Sequence, residues 1–224
     1  MRYTGALHRV DVLGDSSRRA GAWLGAGEAR TEIEAARLGL VWRDGVAERA
    51  DATADEGQTA RIRLFRRDAE RPERLERYVI QYRGTIQLLP DRLDASDVVV
   101  ERTVRTMPAG TTSAPAILMA KTLEVTGSSF LSREAVDVQR MVASGPDTFF
   151  QAGDPQAPVR IWGTRFDFDV PRAQAELTGP PPRGVTLQKA DEVASDHARV
   201  VIDLRDGLPL FLDGSRILWR PQEK

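Results

Sequence analysis

Residues Ile161-Trp162-Gly163-Thr164-Arg165-Phe166-Asp167-Phe168 read as a strand that changes its inward face partway along. Side chains of a strand alternate between the two faces of a sheet, so inward positions fall two apart. Phe166 and Phe168 obey that spacing, with Asp167 and Asp169 on the opposite face, and Ile161 and Gly163 obey it between themselves. From Gly163 to Phe166 the step breaks the alternation. A strand takes such a step where it bulges or bends, and a small side chain suits the crowded position there. The stretch therefore predicts a sheet that curves or folds over on itself.

The same pattern (apolar, any, small, any, any, apolar, any, apolar) recurs along the chain. It appears at Ile33-Ala35-Leu38-Leu40, Leu93-Ala95-Val98-Val100 and Leu118-Ala120-Leu123-Val125, with a weaker copy at Val193-Ser195-Ala198-Val200. A second element, aromatic-any-Gly-any-apolar, appears at Tyr3-Gly5-Leu7 and Tyr82-Gly84-Ile86. So permissive a pattern also recurs by chance in β-rich chains, but four good copies at strand positions favour a true repeat. Its unequal spacing argues against a fixed-period solenoid. Further strand signals are Arg61 to Leu64, Thr85 to Leu88, Val185 to Leu187 and Arg199 to Leu204. Turns are signalled by Asp44-Gly45, Asp206-Gly207 and Asp213-Gly214, whose residues tolerate positive φ, and by Leu89-Pro90 and Val170-Pro171.

Helix competes in one place. Glu28 to Leu40 is rich in Ala, Glu and Arg, which favour helix, but Thr31, Ile33 and Ala35 alternate and Leu40-Val41-Trp42 runs into a hairpin turn, so it reads as strand. Thr178 to Gly184 and Met107 to Pro115 read as loops, and the charged run Arg66 to Arg77 as a surface excursion. The expectation is an extended all-β chain with a folded-over sheet, built from irregular strand repeats. It forms a single elongated domain over 1–224, divisible into sub-units 1–106 and 107–224.

Composition agrees. With 41% hydrophobic and 29% charged residues among 224, each sheet is expected to cover one face and wet the other. A net charge of −1 argues against a general nucleic-acid partner, which needs a basic surplus. Cysteine is absent, which excludes disulfides, thiolate metal sites and a cysteine nucleophile. Met1 leads straight into strand-like residues, and Arg216 to Trp219 is a strand signal close to the last residue, so the expectation is a fragment whose export signal lies upstream.

Met141-Val142-Ala143-Ser144-Gly145, the stretch Val159 to Phe168, Ala175-Glu176-Leu177-Thr178-Gly179 and Gly184-Val185-Thr186-Leu187 form a series of strands stepping through small residues. This series resembles the OstA-like (LptA-like) lipopolysaccharide-transport β-jellyroll family. The likeness runs over most of the chain from Thr31, with Arg66 to Arg77 and Met107 to Pro115 as departures. The resemblance implies a folded-sheet jellyroll with an apolar groove that shields acyl chains and a periplasmic location; a cytoplasmic one stays open.

Chemistry-bearing constellations are few. His8 and His197 leave little scope for histidine catalysis, and Ser195 and His197 share a strand face from which Asp196 points away. Asp167 and Asp169 lie about 7 Å apart by strand rise, near the range of glycosidase carboxyl pairs, yet a solvated face opposite Phe166 and Phe168 explains them more simply. Leu24 to Ala29 mimics a dinucleotide loop but lacks the flanking strand, the clear helix and the third glycine. No catalytic residue, cofactor or metal is expected. The remaining candidates are inward apolar positions that would line a lipid groove or a dry core: Ile33, Leu38, Leu40, Leu93, Val98, Val100, Leu123, Val125, Ile161, Phe166, Phe168 and Val200. The expected function is a non-catalytic lipid or lipopolysaccharide conduit module, with acyl chains and like β-domains paired end to end as partners. The alternative is a structural or adhesive β-repeat segment of a cell-surface protein, with a carbohydrate-active enzyme a distant third.

Overall fold

The structure, a computed structural model, describes residues 7–14, 19–24, 31–67, 71–106, 110–132, 136–180, 184–190, 192–205, 210–211 and 220–221. Among these residues there is no helix, and nineteen strands form one hydrogen-bonded sheet whose pairings are all antiparallel. They are β1 (Leu7–Leu13), β2 (Ala20–Leu24), β3 (Thr31–Ala35), β4 (Arg37–Arg43), β5 (Val46–Thr53), β6 (Ala60–Arg67), β7 (Arg74–Tyr82), β8 (Thr85–Leu88), β9 (Arg92–Thr106) and β10 (Thr111–Thr112). They continue as β11 (Ala116–Ser128), β12 (Asp137–Ala152), β13 (Val159–Asp169), β14 (Gln174–Thr178), β15 (Val185–Lys189), β16 (Glu192–His197), β17 (Arg199–Asp203), β18 (Leu210–Phe211) and β19 (Arg220–Pro221).

The pairings resolve the sheet into two layers joined along a fold line. One layer runs β1-β4-β5-β8 and continues through the parts of β9, β11, β12 and β13 around Leu93, Val125, Met141 and Phe168 to β14, β17 and β18. The other runs β2-β3-β6-β7 and continues through the opposite parts of the same long strands, around Val100, Leu118, Phe150 and Ile161, to β15, β16 and β19. The two layers meet at the crossing points of successive strands. Those points are themselves bonded in a row: Gly14 donates to Ala36, Ala36 to Thr53 and Ala54 to Gly84, at 2.7, 3.0 and 2.8 Å.

The repeat marks these crossings. Ile33, Ala35 and Leu38 are all buried, so the inward face shifts across Ala36. Leu93, Ala95, Val98 and Val100 do the same across Asp97, which takes φ 49°. The register slips between Met119 and Thr122 where β11 crosses. Gly84, in the second element, takes φ 80° between buried Tyr82 and Ile86. The weak copy is out of step: Ala194, not Val193 or Ser195, is the buried residue of β16, although Val200 is buried as expected. With one parity inward in each layer, the other carries arginines and acids in cross-strand pairs such as Arg61–Glu34 (2.5 Å), Arg63–Glu32, Arg199–Glu176 (2.9 Å) and Arg77–Glu101 (3.5 Å). Each such exposed pair contributes about 1 kcal/mol or less.

Two expectations need correction. Arg66 to Arg77 is not a surface excursion at its ends: β6 runs to Arg67, β7 begins at Arg74, and Arg66 and Glu76 point inward because they continue the buried parities Ile62-Leu64 and Tyr78-Ile80-Tyr82, while Arg71 to Glu73 are exposed as expected and 68–70 lie outside the described residues. Within the Met107 to Pro115 loop, Thr111–Thr112 forms the short strand β10 against the end of β9. Elsewhere Thr31 to Arg43 is strand on both sides of Ala36, as read, while 28–30 lie outside the described residues. The hairpin at Asp44-Gly45 has φ 52° and 81°, the left-handed pair that a two-residue turn requires. Asp206-Gly207, Asp213-Gly214, Tyr3, Gly5 and His8's side chain lie outside the described residues.

At Gly145 the crossing of β12 is crowded. Its φ is 151°, and a Cβ there would sit 2.7 Å from the Cβ of Lys121 on β11. Gly145→Ala is expected to lower unfolding free energy by about 1–3 kcal/mol. Gly21→Ala, whose Cβ would find ordinary contact at 3.8 Å from the Ile33 carbonyl, should stay within about 0.5 kcal/mol. Paired denaturant titrations check this; equal effects at the two sites would refute the crowded-crossing account.

Candidate functional site

The space between the layers holds the groove candidates. Ile33, Leu38, Leu93, Val98, Val100, Leu123, Val125, Ile161, Phe166, Phe168 and Val200 are buried in one continuous core, and Leu40 packs partly buried against it. They do not converge on one point; they are spread through both layers. Val100, Phe166 and Phe168 come together with Leu118, Met141 and Phe150 around a cavity of about 20 Å³. Phe150 and Phe166 stack with centroids 5.0 Å apart, and Phe168 lies 6.1 Å from Phe166. A space of that size holds about one water, so the interior here is packed, with no open channel at this point.

Four further residues border that cavity: Ala116, Tyr78, Arg102 and Leu204. The last three belong to a polar cluster at the mouth, the side of the fold away from the crossings. Glu76 of β7, only 3% exposed, lies between Arg66 of β6 and Arg102 of β9, each 7% exposed. Arg102 Nη2 donates to Glu76 Oε1 at 2.6 Å, Tyr78 Oη donates to Glu76 Oε2 at 2.5 Å, and Arg66 Nη1 reaches the same Oε2 at 3.4 Å. The Arg102 guanidinium also lies 5.5 Å from the Phe168 ring centre, a cation–π contact across the layers. Burial opposes the charge of Arg102 but is outweighed by the Glu76 carboxylate it bonds, so its pKa is raised. Burial, then the Glu76 carboxylate, pushes Tyr78 far above the ordinary phenol range, leaving it a neutral donor.

The cluster ties the two lips of the fold together. Arg102 Nη1 donates to the Leu204 carbonyl at 3.4 Å and Arg74 donates to the Arg205 carbonyl, both just past β17 in the opposite layer. That lip is braced in turn. Asp203, buried, accepts from the Arg205 backbone N–H and Nε at 2.8 Å each, and the Arg205 hydrogen bonds hold its carboxyl below the usual range against the opposing effect of burial. The turn after β11 folds inward, burying Phe130 and Leu131, with the Phe130 N–H on the Pro90 carbonyl at 3.3 Å.

The polar candidates outside the core are engaged otherwise. Asp167 accepts from Arg140 Nε at 2.7 Å and from Arg165 at 3.1 Å. The Arg140 hydrogen bond leads in holding its carboxyl below the usual range, against burial and with help from Arg165. Asp169 accepts from the Arg172 N–H at 3.1 Å. A glycosidase acid needs a raised pKa, and these groups face arginines on the outer surface. Ser195 is exposed and His197 half-buried on β16. Among the described residues no group of three or more His, Cys, Asp or Glu could hold a metal ion. No protein-family model and no curated protein matches the sequence.

Reasoning on the sequence missed the mouth cluster, although a signal was there. Arg66 follows Ile62 and Leu64 at the inward spacing, and Glu76 precedes Tyr78, Ile80 and Tyr82. Glu76→Gln is expected to cost about 3–5 kcal/mol, because it leaves two buried guanidinium groups without their carboxylate. Replacing Arg66, Glu76 and Arg102 together by Met, Leu and Met, with Tyr78→Phe so that no hydroxyl is left without its acceptor, should be nearly neutral or stabilising. Thermal and urea unfolding of both variants checks this; a quadruple variant as unstable as Glu76→Gln would contradict it.

Proposed function

We propose that this protein is a non-catalytic lipid-binding conduit module that shields acyl chains of a lipid or lipopolysaccharide between the two layers and works in the periplasm. The observation that carries the reading is the apolar interior running along a folded sheet whose two layers are joined at the crossings and tied at the mouth by polar contacts. Magnitudes support access. A hydrogen bond between lips is worth about 1 kcal/mol net, whereas an acyl chain gains about 0.8 kcal/mol per buried CH₂. A chain ten or so carbons long therefore outweighs several such ties. The likeness of the strand series to OstA-like domains points the same way. A second reading, a structural or adhesive β-repeat segment, is favoured by the packed interior with its cavity of about 20 Å³.

Binding and melting together separate the two. The conduit reading expects lipid A or an apolar fluorescent probe to bind saturably. It further expects Ile161→Glu, at a fully buried position away from Arg102, to abolish binding with the melt preserved, because the carboxylate can reach water once the lips part. In a permanently closed core an unpaired carboxylate costs several kcal/mol, so the same change collapses the melt. That collapse, together with no uptake by the wild type, would leave the structural reading alone.

We further propose that modules of this kind join end to end. β1 pairs with β4 and β2 with β3, and among the described residues neither has a second neighbour. Unpaired strand edges invite another strand, and this end carries exposed apolar residues, with Leu13 and Trp23 each 67% exposed. Val12→Lys with Leu13→Lys is expected to abolish concentration-dependent self-association in sedimentation velocity while sparing the melt. Unchanged association would place the contact elsewhere.

A further inference from the structure

The mouth cluster contains more hydrogen-bond donors than acceptors. Arg66 and Arg102 share one buried carboxylate, Glu76, and the Nε–H of each guanidinium is buried with no acceptor. Asp137, at the start of β12, approaches Arg66 Nε to 4.0 Å, beyond hydrogen-bond reach, and its side chain is 54% exposed. Asp203, the other buried acid of the mouth, is taken by Arg205. A buried donor left unpaired costs about 1–3 kcal/mol, and native proteins keep few of them without a reason. Arg102, which carries one of these donors, also borders the small cavity lined by Val100, Leu118, Met141, Phe150, Phe166 and Phe168, whose lining is wholly apolar. A buried guanidinium next to an apolar chamber matches the two halves of an anionic amphiphile.

We propose that Arg66 and Arg102 form a headgroup site for an oxyanion, the carboxylate or phosphate end of an amphiphile whose chain enters the interior beside Phe166 and Phe168. The inference deepens the conduit reading and rests on it for the chain, while the anion site stands on the unpaired donors. A carboxylate or phosphate oxygen accepts from Nε–H together with a neighbouring Nη–H of the same fork, the geometry in which guanidinium recognises such groups best. Asp137 competes at Arg66 from the rim, and Glu76 fixes the two guanidinium groups in place. The carbonyl of Leu204 is the group that gives way, since its bond from Arg102 is long at 3.4 Å.

Titration calorimetry of the full chain with dodecanoate, dodecyl phosphate, 1-dodecanol and dodecyltrimethylammonium, all below micellar concentrations, tests the site. At least one of the two anions should bind tenfold or more tighter than the alcohol, the tighter of them identifying the headgroup, and the cation weakest. Asp137→Asn, on a half-exposed side chain, should widen the advantage of the anion over the alcohol several-fold by removing the competitor. Arg66→Gln should erase most of it; if that variant does not fold, the Asp137→Asn ratio decides alone. Equal affinity for anions and alcohol overturns the headgroup site and leaves the conduit reading intact. If no amphiphile binds but formate raises the melting temperature more in Asp137→Asn than in the wild type, the anion site stands and the conduit reading fails. Absence of both effects overturns both.

Discussion

Everything in this molecule follows from how a strand turns the corner between the two layers. A flat sheet of these strands would present one face of aliphatic and aromatic side chains to water. Doubling the sheet buries that face against itself, but every long strand must then cross the fold line, and at each crossing the inward parity shifts. Ala35 and Leu38, Ala95 and Val98, and Gly163 and Phe166 lie on either side of such a shift and are all buried. The crossings cannot drift independently, because Gly14, Ala36, Thr53, Ala54 and Gly84 are hydrogen-bonded from one strand to the next. Once that seam is fixed, the register of both layers is fixed with it, since a slip of one residue would turn the arginines inward.

The corner explains why the architecture could be read from the sequence. A broken alternation is a local signature, and it recurs wherever a strand crosses with a small residue before the step. It is weakest where the crossing uses other means. At Val193 to Val200 the bend falls at Ala198 and the sheet buries Ala194, one residue out of step with the pattern. The mouth cluster was harder to see for a different reason. Arg66 and Glu76 sit in a run of charged residues, and composition over such a run suggests solvent. Only the parity carried on from Ile62-Leu64 and back from Tyr82-Ile80-Tyr78 distinguishes them from Arg67 and Arg77, which are exposed. What no local pattern supplies is the partner: Leu204 and Arg205 lie about a hundred residues or more away and meet the cluster only because the layers face each other.

The arginines of the outer faces and those of the mouth obey different physics. Arg61, Arg63 and Arg199 pair with acids across the strand surface in reach of water, where the pairs add little and salt weakens them further. Their main effect is to make the wrong register expensive. Arg66 and Arg102 are removed from water, so each needs partners of good geometry, and Glu76 with Tyr78 supplies some of them. An ion cluster of this kind is a poor source of stability compared with apolar side chains of similar volume. Its position is therefore the informative fact.

At the fold line the backbone seam holds the layers, and no side-chain charge is needed there. At the mouth no ladder joins the layers among the described residues, and two designs are open. Apolar lips would close the interior more tightly, but whenever they parted they would expose a contiguous apolar patch, the kind of surface that associates indiscriminately. Lips joined by guanidinium–carbonyl contacts close less tightly and have partners in water when apart. Arg102 carries both roles at once: its guanidinium lies against Phe168 on one side and bonds Glu76 and the Leu204 carbonyl on the others. A fold that needed only to stay shut would gain by replacing it with an apolar residue, and the charge kept at that position fits the proposed conduit.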